Sequence, residues 1–166
     1  MAFDHEAYIG VGSNLGEREI NCRRAVAALA ANVGSLLDGQ SPFYETEPIG
    51  FADQDWFVNG VVRIKTNVGP QVLHEQLQAL ETALGRRPGG KKYGPRVLDL
   101  DILFFDDVVL RTDRLEIPHP RLHERRFVLR PLCDLAPDLV HPVLGQTIQY
   151  LLAHLKDGKK VVPLPL

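Results

Sequence analysis

The sequence predicts an α+β fold, and three observations carry the prediction. Short runs of strand character fall at residues 8–12, 42–46, 57–65 and 97–105, and two stretches with helical spacing separate them, one ending near residue 32 and one at residues 70–84. Gly and Pro punctuate each boundary. The resulting order, strand, helix, strand, strand, helix, strand, is the ferredoxin-like βαββαβ arrangement: an antiparallel sheet with helices on one face. Peripheral helices are expected near residues 131–136 and 147–155. A chain of 166 residues fits a single domain spanning 1–166.

Tyr8-Ile-Gly-Val-Gly12 reads as a buried strand. Ser13 and Asn14 are expected to cap the helix that follows, with Asn14 and Glu17 as a capping box, and Gly34 to stop it. Cys22, Ala25, Val26 and Leu29 fall at i, i+3, i+4 and i+7, one apolar face of that helix. Residues 42–46 and 57–65 read as two strands joined by a loop, residues 47–56, too long for a simple hairpin. Pro70 opens the second helix, Leu73, Leu77, Leu80 and Leu84 form its stripe, and Gly85 ends it. Asp106 and Asp107 form the turn after the last strand. The segment from residue 156 onward shows no pattern.

Composition narrows the function classes. Lys and Arg total 19 against 21 acids, a net charge of -2 that argues against a general nucleic-acid binder. The first residues lack a charged n-region followed by an apolar run, and no stretch reaches bilayer-spanning length, so a cytoplasmic protein without membrane contact is expected. Cys22 and Cys133 read as small core side chains, and no His pair has the spacing of a metal-binding helix.

The chemistry concentrates around Leu98-Asp-Leu-Asp-Ile102. Alternation along a strand puts Asp99 and Asp101 on one face and Leu98, Leu100 and Ile102 on the other. Like charges on one strand face cost stability, so the pair implies a hard cation, Mg2+ above all. Alone, such a pair also suits a wet strand face. The segment before it shifts the balance, because residues 86–96 carry five basic side chains and no acid. Cations beside a metal pair suit a polyphosphate.

A second polar cluster, residues 114–127, holds Arg114, His119 and Arg125. Asn59, polar in an apolar strand, and the aromatics Phe57 and Phe127 suit a flat-ring pocket, and both Phe residues read equally well as core. The glycines at 10, 12 and 16 match neither a dinucleotide fingerprint nor a phosphate loop and read as structural.

In these residues the chain resembles the 6-hydroxymethyl-7,8-dihydropterin pyrophosphokinase family, from Tyr8 to about Leu155. Tyr8-Ile-Gly-Val-Gly-Ser-Asn-Leu-Gly16, Phe43-Tyr-Glu-Thr46, Phe57-Val-Asn59, Gly94-Pro-Arg-Val-Leu-Asp-Leu-Asp-Ile-Leu103, Ile117-Pro-His-Pro120 and Arg125-Arg-Phe127 occur in the family's order and spacing. The resemblance implies pyrophosphoryl transfer from MgATP to the pterin's hydroxymethyl oxygen, with release of AMP. It puts two Mg2+ ions on Asp99 and Asp101, and Arg86, Arg96, Arg125 and His119 on phosphate. ATP contacts fall to Gln78, Glu81, Ile102 and Arg114. Phe57 and Phe127 would sandwich the pterin, Asn59 would read its edge, and Thr46 and Ile49 would line its pocket. Tyr93 occupies an aromatic position near both substrates where Trp or Phe is common. Small-molecule substrates and a monomer are implied, with no nucleic acid.

Two features depart from the family's pattern. Many relatives place a second Arg two positions after Arg86, where this chain has Pro88 followed by Gly89 and Gly90, and an ammonium from Lys91 or Lys92 cannot copy a guanidinium fork. Val97 replaces a common Thr. No residue stands out as an obligatory general base, which metal and cation positioning can make unnecessary. The loops at 47–56 and 86–93 are expected to close over substrates. Two other readings stay open, a ferredoxin-like RNA-binding module and a different metal-dependent phosphotransfer enzyme on the same scaffold.

Overall fold

The computed structural model describes residues 2–32, 34–49, 53–85 and 96–165. In chain order the elements are β1 (His5–Ser13), α1 (Arg18–Ala30), β2 (Ser35–Gln40), β3 (Tyr44–Thr46), β4 (Phe57–Thr66), α2 (Pro70–Ala83), β5 (Asp99–Phe105), β6 (Leu110–Arg111), β7 (Glu116–Ile117), α3 (Arg126–Leu135), α4 (Ile148–Ala153) and β8 (Val161–Pro163). The main sheet is antiparallel in the order β5-β1-β4-β3-β8, and β2 pairs with the other half of β4. No helix among the described residues is long and apolar enough to cross a membrane.

Alternation along the central strands divides the core in two. Ala7, Ile9, Val11, Val62, Ile64, Leu100 and Ile102 face α1 and α2, where Cys22, Val26, Leu29, Leu73 and Leu77 close the layer. Tyr8, Val61, Leu103 and Phe104 face the other way, onto Leu122, Val128, Leu129 and Leu132. The helices therefore cover both faces of the sheet. The expectation of one covered face fails because α3 and α4 bury their own apolar stripe against the reverse side. A bulge lets adjacent residues Leu103 and Phe104 share that side, since Tyr8 pairs with Phe104 while Ile9 pairs with Ile102.

Several boundaries differ from the sequence reading. The second strand begins earlier and comes in two pieces, the first carrying a bulge between Leu37 and Gly39 where Arg63 Nε donates to Asp38 Oδ2 at 3.0 Å. Between the pieces the Ser41 hydroxyl accepts from the Val61 N–H at 2.9 Å, replacing a ladder carbonyl. α3 starts at Arg126 and carries Pro131 inside it, whereas the sequence placed a helix only from residue 131. β5 begins at Asp99 rather than at Val97. The segment past residue 156 is also structured, since β8 extends the sheet beyond β3.

The capping box does not form. Glu17 occupies the N-cap of α1 without a side-chain hydrogen bond. Asn14, 1% exposed, instead accepts from the Arg96 N–H at 2.7 Å, donates through Nδ2 to Gln54 Oε1 at 2.7 Å and Asp55 O at 3.1 Å, and donates its own N–H to Arg96 O. It ties the end of β1 to the entry of β5 and to the loop before β4. Gly85, with φ +112°, ends α2 as expected.

Candidate active site

A cleft of about 450 Å³ opens on the face of the sheet that carries Tyr8 and Val61, between the β3–β4 side and the start of α3. Its floor is set by register. Gly12 on β1 pairs with Asn59 on β4 and with Asp99 on β5, and Gly10 pairs with Val61 and with Asp101. Each carboxylate thus has a glycine as its cross-strand neighbour. At the usual strand spacing the backbone row Asn59, Gly12, Asp99 spans about 10 Å. Gly12 adds no side chain to it, and the Asn59 amide leans over Gly12, with Oδ1 2.4 Å from where a Cβ would stand. Directly opposed Cβ atoms stand about 5 Å apart, so a side chain at position 10 or 12 would fill the space beside a carboxylate.

One end of the cleft is shaped for a flat, polar-edged ligand. Asn59 donates to Thr46 Oγ1 at 2.6 Å, which fixes the amide plane, and Phe57 stands opposite Thr46 in the β3–β4 ladder. Glu47, Pro48 and Ile49 continue the wall, and Phe127 lines the cleft from the first turn of α3. Both Phe residues, readable in sequence as core or pocket, line the cleft, and Phe127 also packs on the α3–α4 core.

The other end gathers charge. Arg96, Asp99, Asp101, His119, Arg121 and Arg125 all line it. His119 donates its N–H to Leu103 O at 3.0 Å, which fastens it to the outer edge of β5, and its Nδ1 accepts from the Arg121 N–H at 3.3 Å. Burial, reinforced by the Arg125 guanidinium, holds its pKa down at about 4 against the opposing pull of Asp99 and Glu116. The ring is neutral at pH 7 and keeps its proton on Nε2, a donor without net charge. Arg125 rests with Cζ 5.6 Å from the centre of the Phe127 ring, within cation–π range.

Of the residues the sequence singled out, Thr46, Ile49, Phe57, Asn59, Arg96, Asp99, Asp101, His119, Arg125 and Phe127 converge on this cleft. Four others lie outside its lining. Gln78 and Arg114 are exposed. Ile102 is 4% exposed, with its side chain in the core under α1 and α2, so it offers the cleft side no side chain. Glu81 is 7% exposed, and its Oε2 accepts the Leu100 N–H at 2.8 Å, capping the edge of β5 between the two Asp residues. Arg86 and Tyr93 lie outside the described residues. Sequence reasoning missed Gly10 and Gly12 as floor, Glu47 as wall and Asn14 as tie. The glycines were visible in the strand pattern, but only the ladder shows what lies beside them.

Among the described residues no cluster of three or more His, Cys, Asp or Glu could form an all-protein metal cage. Two carboxylates on one strand face, with a bare floor beside them, fit a cation that takes one or two protein oxygens and completes its shell with phosphate and water, as Mg2+ does. The site thus has the groups of a class suited to a polyphosphate at one end and a flat heterocycle at the other.

Comparison with known proteins agrees with that class. A profile of the family described as 7,8-dihydro-6-hydroxymethylpterin-pyrophosphokinase (HPPK) matches residues 8–137, and the chain belongs to this family. It is 42% identical to the 2-amino-4-hydroxy-6-hydroxymethyldihydropteridine pyrophosphokinase of Methylorubrum extorquens, covering 90% of this chain and 92% of that protein. It is 44% identical to the protein of the same name from Pseudomonas aeruginosa, covering 88% and 89%. A match to the folic acid synthesis protein fol1 of Schizosaccharomyces pombe, 43% identical, covers 94% of this chain but 22% of that longer protein. The fold also resembles the crystal structure of wild-type Plasmodium falciparum HPPK-DHPS with pteroate, with a TM-score of 0.73 at 17% identity over 92% of this chain and 43% of that one.

Proposed function

We propose that this chain transfers a pyrophosphoryl group from MgATP to the hydroxymethyl oxygen of 6-hydroxymethyl-7,8-dihydropterin, releasing AMP, as a step of folate biosynthesis. The observation that carries the proposal is the row Asn59, Gly12, Asp99, in which an amide and a carboxylate flank a glycine that adds no side chain between them.

The pterin ring is assigned to the slot between Phe57 and Phe127, with the Asn59 amide and Thr46 on its edge and Ile49 closing one side. Its hydroxymethyl group then points along the glycine strip toward the charged end. Asp99 and Asp101 would hold two Mg2+ ions there, which when bound would offset phosphate charge and polarise the β-phosphorus. Arg96 and Arg125 bring guanidinium forks to the phosphate oxygens, and neutral His119 donates from Nε2. The pterin oxygen bonds to the β-phosphorus, the bond from that phosphorus to the α–β bridging oxygen breaks, and the hydroxyl proton passes to solvent. Positioning of this kind supplies most of the acceleration in phosphoryl transfer. Arg86 and Tyr93 are assigned to phosphate and to both substrates, on the family pattern.

Contacts to the nucleoside are assigned to Gln78, Glu81 and Arg114 and to the main chain of Ile102. These assignments rest on the family pattern. The strand order, with β2 and β3 together beside β4, supports the ferredoxin-like assignment of the sheet. A single domain acting as a monomer is assigned on the family pattern.

The test is AMP formation followed by 31P NMR, with Mg2+ and the reduced pterin each omitted in turn. AMP release that persists without the pterin, or transfer that needs no divalent ion, refutes the reading.

A further inference from the structure

Segment 157–160 bonds to both walls of the flat-ligand end. Asp157 Oδ2 accepts the Arg126 N–H at 3.0 Å at the start of α3, between Arg125 and Phe127 in the chain. The Arg126 side chain returns to Asp157 O at 3.1 and 3.3 Å. Asp157 Oδ1 accepts the Lys159 N–H at 2.8 Å, so the loop is folded by the carboxylate that caps the helix. Three residues after Asp157, Lys160 exchanges two bonds with Glu47: its N–H donates to Glu47 Oε1 at 2.9 Å, and its carbonyl accepts the Glu47 N–H at 3.0 Å. β8 then continues along β3 and fixes Thr46 through the Val161 register.

We infer that Asp157 is a positioning residue for the flat-ligand slot, setting the separation of its two walls through the Arg126 N–H on one side and the Lys160–Glu47 pair on the other. The inference rests on the pterin assignment above. Phe127 is carried by the first turn of α3, and Thr46 to Ile49 follow directly from β3, so a shift of either anchor alters the width of the slot. The polyphosphate end stands mainly on β5 and residues 119–121, and of its charged groups only Arg125 adjoins the Arg126 anchor in the chain. Loss of Asp157 should therefore separate the two substrates kinetically.

The experiment measures KM for each substrate with wild type, D157A and D157N. Loss of a helix-capping carboxylate corresponds to about a fivefold effect. D157A is expected to raise KM for the pterin by that factor and to leave KM for ATP close to wild type. D157N keeps one side-chain acceptor for the Arg126 N–H and is expected to recover most of the loss. Simple destabilisation would lower the active fraction and thus kcat, with both KM values unchanged. That result, equal shifts in both KM values, or wild-type behaviour of D157A overturns the inference. A measurement on the wild type needs no folded variant: pterin binding should slow hydrogen exchange at the Arg126 and Lys160 amides, and unchanged exchange at both overturns the inference. If the wild type binds no pterin, the substrate assignment fails first, and the inference with it. If it binds pterin and D157A does so equally well, only the inference fails.

Discussion

Gly12→Ala is the sharpest perturbation of the bare strip between the two ends of the site. A Cβ at this position would stand 2.4 Å from Asn59 Oδ1, with Asn59 Cγ at 3.5 Å and Val58 O at 3.7 Å. Gly12 is not among the residues of positive φ, so the backbone accepts alanine and the conflict is purely steric. Asn59 cannot step aside cheaply, because it is 9% exposed and its amide donates to Thr46 Oγ1 at 2.6 Å. Breaking that bond inside the fold costs about 1–3 kcal/mol. In a chain of this length a loss of about 2 kcal/mol lowers Tm by about 4–8 °C. Displacing the amide from the ligand edge should weaken pterin binding by about 5- to 30-fold. Thermal unfolding and titration with the reduced pterin measure both effects. The steric argument makes a further demand on the double variant. With Asn59→Ala already present the new methyl meets no Oδ1, so Gly12→Ala should then cost almost nothing, a coupling of about 1–2 kcal/mol. Wild-type Tm and affinity in G12A, or additive effects in the double variant, would refute the reasoning.

Asp99→Ala should abolish AMP formation at every Mg2+ concentration and leave the circular dichroism and unfolding transition close to wild type, since it removes one of two like charges from a strand face. Glu81→Ala orphans the Leu100 N–H and should cost about 1–3 kcal/mol in denaturant unfolding, with faster hydrogen exchange at Leu100; unchanged exchange would show that the edge is held by other means. For His119, the folded pKa of about 4 lies below the unfolded value, so the native state disfavours the proton. Its contribution is fully present above the unfolded pKa near 6.5 and is lost as pH falls toward 4, by at most about 3 kcal/mol. The stability difference between wild type and His119→Gln should shift by that amount over this window, and parallel curves would contradict it. Burial pushes the Cys22 thiol up to about 12, so a thiol reagent should modify Cys22 only on unfolding; rapid labelling of the native protein would contradict its place in the core.

Much of the site was legible because its strongest signals are local. A strand turns successive side chains to opposite faces wherever it lies, so Asp99 and Asp101 share a face by covalent geometry alone. The same rule put Phe57 and Asn59 together, and helical spacing gave Cys22, Ala25, Val26 and Leu29 as one stripe. Local rules also misled. Asn14 three residues before Glu17 has the form of a cap, yet a buried amide takes the best partners the tertiary structure offers, and Arg96, Gln54 and Asp55 outbid the helix end.

The sequence by itself determined the alternation of the main strands and helices through β5, the shared face of the two carboxylates and the residue types able to meet phosphate, a cation and a flat ring. Each follows from periods of two and 3.6 residues or from side-chain chemistry, which need no knowledge of distant segments. Only the tertiary structure decided that Gly12 lies between Asn59 and Asp99, that α3 and α4 cover the reverse face, and that Asp157 and Lys160 bond to Arg126 and Glu47. Those facts depend on which strands pair and in which register. Register is fixed by burial and hydrogen bonding summed over the whole sheet, a sum that no local window contains.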